Sequence, residues 1–161
     1  TETGTEPVTV AKAKTYLGIA STVHDTLLAD LVVSARKSFE QATELKLIES
    51  TITAYYDSID DYTYLPFVPC LELTSVKDED NNDLDYILTK GENPKLKITS
   101  SSEVVVVYDC GATVTEDIEL AVIKAVAEDF EFRTGISLNT SELLPNNWRQ
   151  TALKYRRTWL M

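Results

Sequence analysis

Residues 103–110 read EVVVVYDC and form the most strand-like run in the chain. The four consecutive valines at positions 104–107 place apolar, β-branched side chains on both faces, which is typical of a central strand. Residues 115–135, TEDIELAVIKAVAEDFEFRTG, follow with helical periodicity. We expect Thr115 to cap this helix and Gly135 to end it. A strand followed at once by a long helix indicates a mixed fold.

Two more helices are predicted before the strands. Residues 7–19, PVTVAKAKTYLGI, suit a short helix that Thr9 caps and Gly18 ends. From about His24 to Glu44 the period is again helical. The expected apolar stripe of that helix is Leu28, Leu31, Val32, Ala35, Phe39 and Ala42. The expected buried face of the later helix is Ile118, Ala121, Val122, Ala125 and Phe132.

The middle third of the chain has the composition of a sheet. The segments TITAYYDSI, LELTSV, LDYIL and LKITS are rich in strand-forming residues and are separated by polar or proline-containing turns. We expect a mostly antiparallel sheet over about residues 50–110, with Val104 to Tyr108 at its centre and Asp60 to Phe67 as an exposed loop. From Asn147 a last helix can form with Trp148, Ala152, Tyr155 and Trp159 along one stripe.

These patterns predict an α+β fold, a small helical bundle with an inserted, mostly antiparallel β-sheet and an extended or helical C-terminal arm. We divide the chain into a core domain over residues 1–135, with the β insertion at about 50–110, and a segment over residues 136–161. That second segment comprises a linker and the C-terminal arm.

The charge is distributed unevenly along the chain. All 26 Asp and Glu residues and 11 of the 15 Lys and Arg residues precede position 147, so this body carries −15. The last fifteen positions carry +4 and no acidic side chain. An acidic body argues against a surface that grips nucleic acid, because phosphate binding needs clustered cations.

The familiar catalytic and metal-binding patterns are missing. The five glycines are too far apart for a phosphate loop, and Cys70, Cys110 and His24 cannot supply an ordinary zinc set. When the acidic run from Asp78 to Asp85 is aligned with a 12-residue calcium loop, Asp83 stands where the loop needs glycine and Thr89 where it needs glutamate. We therefore predict a protein without catalytic residues, metal or cofactor. No apolar run approaches the ~20 residues of a membrane span, which indicates a protein made in the cytoplasm without a membrane partner.

The predicted elements in their order resemble the head-tail connector (adaptor) proteins of long-tailed bacteriophages. The resemblance covers about residues 7–135 and rests on the two early helices, the strand TITAYYDSI, the segment YLPFVPCLELTSVKD, the strand VVVYDCG and the late helix. The pair Tyr155–Arg156 matches a Tyr-Arg pair near the end of many members. The chain departs from the family where Thr115 replaces an expected proline, and in a longer segment after Gly135.

The resemblance implies a non-enzymatic virion protein at the head-tail interface. Such proteins form a ring of about 12 copies beneath the portal of the DNA-filled head. The ring offers its other face to the tail or to tail-completion (stopper) proteins, and DNA passes through it without specific binding.

Our hypothesis for the C-terminal arm is that it docks onto the portal protein, since Trp, Tyr and Arg dominate many interfaces. The expected portal-binding residues are Trp148, Arg149, Lys154, Tyr155, Arg156, Arg157 and Trp159. The alternative is that the last helix folds back on the chain's own acidic body. A further contact with a neighbouring subunit or with the tail is expected at Tyr62, Tyr64 and Phe67.

Two other functions remain open from sequence. A tail-completion or stopper protein would lie one layer further from the head. A soluble binding module of the bacterial cell would be monomeric or dimeric and would keep its C-terminus folded.

Overall fold

The structure is a computed structural model of the 161-residue chain, and it describes residues 1–89, 91, 93–98, 100, 102–132 and 148–157. The described residues form two compact units. The helical unit takes its residues from 6–43 and 114–156, and the sheet unit from 1–5, 44–113 and Arg157. The fold is α+β, as the sequence predicts, with the sheet segment inserted between the helices along the chain.

Four helices are present in the described part of the chain. They are α1 (Val10–Leu17), α2 (Asp25–Thr43), α3 (Glu116–Glu131) and α4 (Trp148–Tyr155). The predicted limits of the first helix are confirmed. The Thr9 hydroxyl accepts a hydrogen bond from the Lys12 amide at 3.2 Å, and Gly18 ends the helix in the left-handed conformation at φ 69°.

The start of α3 is also as predicted, although its cap works differently. Thr115 has the extended backbone of an N-cap residue, but its side chain makes no cap hydrogen bond and donates instead to Asp117. The helix ends at Glu131, and Gly135 lies outside the described residues. The prediction that Phe132 is buried was wrong, because Phe132 lies after the last helical residue and is exposed.

The helical unit buries one stripe of each long helix. Each buried apolar residue of α2 and α3 lies three or four positions from another buried apolar residue of the same helix, as the stripe predicts. The exception is Ala42, which was expected inside and is exposed, while Thr43 takes the buried position four residues after Phe39. Two charged residues that the apolar stripe did not predict, Arg36 and Glu40, are also buried.

The sheet unit contains two three-stranded antiparallel sheets. The first has the order β1-β6-β3, with β1 (Ser50–Tyr56), β6 (Val104–Cys110) and β3 (Cys70–Asp78). The second has the order β2-β5-β4, with β2 (Tyr62–Tyr64), β5 (Lys95–Lys97) and β4 (Ile87–Thr89). The valine strand β6 is central, as predicted, because it pairs with β1 on one side and β3 on the other.

Two sequence predictions in this region were wrong. The segment expected as an exposed loop contains the strand β2, and Leu65 directly after it is fully buried. The segment LDYIL was expected to be a strand throughout, but only its last two residues join β4. In both places a strand of three residues is too short for its alternating pattern to stand out from the flanking loop.

A common core fills the sheet unit. It contains alternate residues of β6, namely Val104, Val106, Tyr108 and Cys110, with Leu65, Leu96 and Ile98 among those packed around them. The Tyr108 hydroxyl accepts a hydrogen bond from the Phe67 amide at 3.0 Å and donates one to the Phe67 carbonyl at 3.2 Å. The core therefore holds the chain just after β2 by a polar contact as well as by burial. Within the described residues, no helix has the length and apolar composition of a bilayer span.

Candidate interaction surfaces

The C-terminal helix α4 presents two different sides. Its buried residue Ala152 is part of the helical core, and α4 packs against α2 and α3. On the other side Leu153 is 65% exposed, and Lys154 and Arg156 are exposed as well. Neither of these two cations makes an ion pair with another described residue. The outward side of α4 is thus an apolar residue flanked by unpaired cations.

The inward side of α4 is tied to α3 by polar contacts. Arg149 pairs with Glu128 at 3.1 Å, and its guanidinium lies 4.8 Å from the centre of the Trp148 ring. The Tyr155 hydroxyl donates a hydrogen bond to Asp117 at 2.7 Å. The hydroxyls of Thr115 and Tyr155 hold the pKa of the Asp117 carboxyl below its usual range. Trp148 and Tyr155 are half-buried in this arrangement.

Arg157 lies in the sheet unit, where it is only 7% exposed. Its guanidinium donates to the Leu65 carbonyl at 2.5 Å and to the Asn93 side chain at 2.6 Å. It also lies 3.6 Å from the Glu44 carboxylate and 5.5 Å from the centre of the Tyr64 ring. Burial lowers the pKa of the guanidinium, while Glu44 opposes that effect. Arg157 is therefore an internal anchor of the C-terminus, and Trp159 lies outside the described residues.

A second surface lies on the small sheet. Tyr62 is 50% exposed, and its ring contacts Tyr64 edge-on with the centroids 5.6 Å apart. The Lys95 ammonium lies 4.7 Å from the Tyr62 ring centre and 5.3 Å from that of Tyr64. Phe67 is half-buried, and its ring lies beneath the ammonium of Lys46 at 5.1 Å. Of the three residues predicted for this interface, Tyr62 and Tyr64 lie together in one cluster with Lys95, whereas Phe67 contacts Lys46.

Sequence reasoning did not identify Lys95, Lys97 and Ile87 as part of the second surface. The alternation in the segments KLK and ILT was the available signal, since each has one core residue between two outward residues. Three residues are too few to make such a pattern distinctive in one sequence. The described residues contain no group of three His, Cys, Asp or Glu side chains that could hold a metal ion.

Comparison with known proteins gives no match to a family model and none to a curated protein sequence. Solved structures do match. A chain in the neck of an empty gene transfer agent (GTA) particle, computed with C6 symmetry, superposes with a TM-score of 0.81. A chain in the neck of the native GTA particle computed with C12 symmetry gives 0.76, and one in the native GTA virion gives 0.75.

Each of these three chains is 16% identical to the present one, and the superposition covers 100% of this chain and 96% of the other. At that identity the likeness shows that the fold is shared. Because the superposition covers the whole chain, the shared fold includes both the helical unit and the sheet unit.

Proposed function

We propose that this protein is a structural, non-enzymatic component of a virion neck, and that it acts as a head-tail connector. In this role a ring of about 12 copies lies beneath the portal and joins the DNA-filled head to the tail. The observation that carries the proposal is the full-length fold likeness to two chains from GTA particle necks, at TM-scores of 0.81 and 0.76, and to a chain of the native GTA virion, at 0.75. The necks were computed with C6 and C12 symmetry, which are the symmetries of closed rings.

The charge of the chain suits this role. DNA has to pass through the ring without being held, and the body of the subunit carries −15. Such a body repels phosphate and keeps the separate subunits soluble before assembly. The same charge keeps the copies apart unless specific contacts overcome it, which is desirable in a protein that assembles at one place only.

The C-terminal arm, which follows the linker within residues 136–161, is proposed to contact the portal. Leu153, Lys154 and Arg156 are available for this contact without any change in the fold, because they face outward from α4. Trp148, Arg149, Tyr155 and Arg157 already have partners within the chain. These four residues would contribute to portal binding indirectly, by holding α4 in position, or directly, once their present contacts within the chain are released.

The packing of α4 favours the alternative reading of the C-terminus, in which the last helix folds back on its own acidic body. Arg149 pairs with Glu128 and Tyr155 with Asp117, as that alternative requires. A folded C-terminus is also expected of the soluble binding module, and the stopper protein remains open as the other alternative. The proposed connector differs from both in the partner that it retains, which is the portal protein.

The test is affinity capture of the tagged full chain from the producing cells, followed by mass spectrometry. We compare it with the double variant Lys154→Glu/Arg156→Glu and with the control Lys37→Glu, which reverses an exposed cation of α2. We expect the portal protein to co-purify with the full chain and the control, and to be lost from the double variant.

A chain ending at Leu144 provides a second comparison, and thermal unfolding shows whether it remains folded. Capture of tail proteins without the portal would make the protein a stopper. Recovery of no virion protein by any of the chains would refute the neck function itself. Equal recovery of the portal by the full chain and the double variant would leave the connector function standing and remove the arm from it.

A further inference from the structure

The small sheet β2-β5-β4 has one face in the core and one face outside. Thr63, Leu96 and Leu88 are paired across the strands, and Leu96 is fully buried, so this row faces the core. The rows on either side of it face the opposite way because side chains alternate along a strand. We call this opposite side the outer face; it consists of Tyr62, Lys97 and Ile87 in one row and Tyr64, Lys95 and Thr89 in the other.

The outer face combines aromatic, apolar and cationic side chains. Ile87 is 65% exposed and Tyr62 is 50% exposed, which is unusual for large side chains on a sheet. Lys95 lies over both tyrosine rings and makes no ion pair with any described residue. Lys97 pairs with Asp61 at 3.6 Å, and because both side chains are well exposed, that pair is weak. Exposed aromatic rings such as Tyr62 are typical of a protein interface, and the two lysines add a positive charge that an acidic partner surface can complement.

The complementary surface is the turn between β3 and β4, which we call the acidic turn and which spans residues 78–85. The Asp78 carboxylate accepts hydrogen bonds from the amide and the side chain of Asn82 at 2.8 and 3.0 Å. These bonds hold the pKa of Asp78 below its usual range and fix the shape of the turn. The remaining carboxylates are exposed and make no ion pair with other described residues; they are Glu79, Asp80, Asp83 and Asp85.

Ring geometry requires two such surfaces on each copy. In a closed ring of more than two copies the contact is head-to-tail, so one patch of each subunit meets a different patch of the next. The outer face and the acidic turn are two different patches, both belong to the sheet unit, and their charges are opposite. A preorganised turn also loses little conformational freedom on docking.

We propose that the outer face of one copy binds the acidic turn of the neighbouring copy and that this contact forms the ring. Lys95 and Lys97 pair with the carboxylates of the turn, while Tyr62 and Ile87 supply the apolar part of the contact. Each such contact brings opposite charges together between subunits that otherwise repel one another at −11 each. This inference rests on the proposed function, because it takes the ring as given and identifies its subunit contact.

The direct test is carbodiimide cross-linking, which joins a lysine amine to a carboxylate only when the two are in contact. We mix unlabelled and ¹⁵N-labelled full chain, cross-link the mixture and map the linked peptides by mass spectrometry. The same reaction is run on intact particles from the producing cells. We expect mixed-isotope links from Lys95 or Lys97 to the acidic turn in the purified chain, and the same peptide pairs in the particles.

Charge reversal provides the functional test. The variant Lys95→Glu/Lys97→Glu is expected to weaken self-association at least about 10-fold in sedimentation equilibrium. Asp83→Lys/Asp85→Lys is expected to do the same, and the chain carrying all four changes should recover most of the loss because opposite charges again face each other. Lys37→Glu on α2 is the control and should leave self-association unchanged.

The outcomes separate this inference from the proposed function. If several copies are present in the particle neck and their links map to other residues, the ring stands and this subunit contact is refuted. If the chain with all four substitutions associates as weakly as the two double variants, the pairing of these two surfaces is likewise refuted. If the chain is absent from the particles, the proposed function fails, and the ring contact fails with it.

Discussion

At the scale of single residues, Arg156 and Arg157 show how far two adjacent cations can differ. Arg156 is exposed, while Arg157 is buried among the Leu65 carbonyl, the Asn93 amide and the Glu44 carboxylate. Leu65 is 92 positions away in sequence. The sequence shows that both residues contribute positive charge to the C-terminal arm. The role of Arg157 as an anchor depends on its tertiary contacts with Leu65 and Asn93, which the sequence does not show.

Replacing Arg157 should therefore cost stability. We expect Arg157→Ala to lower the free energy of unfolding by about 2–3 kcal/mol, because the buried Leu65 carbonyl, the half-buried Asn93 side chain and the Glu44 carboxylate all lose their contact with the guanidinium. The measurement is urea unfolding followed by circular dichroism. Arg156→Ala is the matched control and should stay within about 0.5 kcal/mol of the parent. Equal stability of the two variants would show that Arg157 is not an anchor.

Arg36 and Glu40 are a second case at this scale. Both are nearly fully buried on α2, and the Arg36 guanidinium donates to Glu40 at 3.0 Å and to Glu6 at 2.9 Å. The spacing of four residues places them on one side of a helix, so their pairing was readable from sequence. Their burial was not, because charged residues at such spacing usually lie on a solvated surface.

This buried pair should show strong coupling. We expect Glu40→Leu alone to destabilise the chain by about 3 kcal/mol, since it leaves a buried guanidinium with one carboxylate fewer. The double variant Glu40→Leu/Arg36→Met should be destabilised by less than the sum of the two single variants. The expected coupling energy in a double-mutant cycle is about 1–3 kcal/mol. Additive effects in chemical denaturation would contradict a direct interaction.

At the scale of elements, the contact between α3 and α4 depends on the first turn of α3. Asp117 accepts hydrogen bonds from the hydroxyls of Thr115 and Tyr155, and both lower its pKa. A depressed carboxyl pKa favours the ionised form in the fold. The resulting stabilisation is therefore present at neutral pH and is lost as the pH falls through the folded pKa.

The pKa of Asp117 reports whether α4 is docked. We expect Tyr155→Phe to raise that pKa toward its ordinary value, because one of the two hydroxyl donors is removed. Carboxyl titration by NMR measures it, and Asp78, whose pKa is lowered by Asn82, serves as an internal control that should not move. An unchanged Asp117 pKa would mean that α4 leaves α3 in solution.

The central strand β6 carries a polar contact within an apolar element. Tyr108 is fully buried, and its hydroxyl satisfies both the amide and the carbonyl of Phe67. Desolvation by burial raises the pKa of this hydroxyl, so it remains protonated and can donate. The strand thereby fixes the segment that follows β2 and, with it, the position of the tyrosines on the outer face.

Removing that hydroxyl should loosen the segment after β2. We expect Tyr108→Phe to lower the free energy of unfolding by about 1–2 kcal/mol, because the amide and the carbonyl of the half-buried Phe67 both lose their hydrogen bond to the tyrosine. Tyr55→Phe on the neighbouring strand is the control, since Tyr55 is 68% exposed. Its effect in thermal unfolding should be close to zero. A larger effect of Tyr55→Phe than of Tyr108→Phe would contradict this account.

At the scale of the whole molecule, the net charge of −11 opposes contact between copies of the chain and between the chain and DNA. In the proposed ring, complementary local patches offset this repulsion, and the outer face and the acidic turn are the pair that we propose. Phosphate likewise meets a body that carries −15, and a net positive charge of +4 is found only over the last fifteen positions.

The full chain should therefore not bind duplex DNA appreciably. In a gel-shift experiment at physiological salt we expect no retardation at chain concentrations up to about 100 μM, where weak non-specific binders already act. A basic DNA-binding protein of similar size is the positive control. Retardation that disappears at higher salt would show that a cationic surface dominates, and it would weaken the proposal that DNA passes through unheld.

Sequence alone determined the α+β class, the approximate limits of the helices and the central position of the valine strand. These are local properties, because helical and strand periodicity are carried by residues a few positions apart. The sequence also identified the acidic body, the cationic arm and two of the tyrosines on the outer face.

Only the tertiary structure decided which of those residues are available to a partner. It buried Arg157 and left Arg156 exposed, and it paired Tyr155 with Asp117, 38 positions away. It also aligned three strands of three residues so that Lys95 and Ile87 lie on the same side as Tyr62. Burial and charge pairing arise from contacts between distant parts of the chain, and no local pattern contains that information.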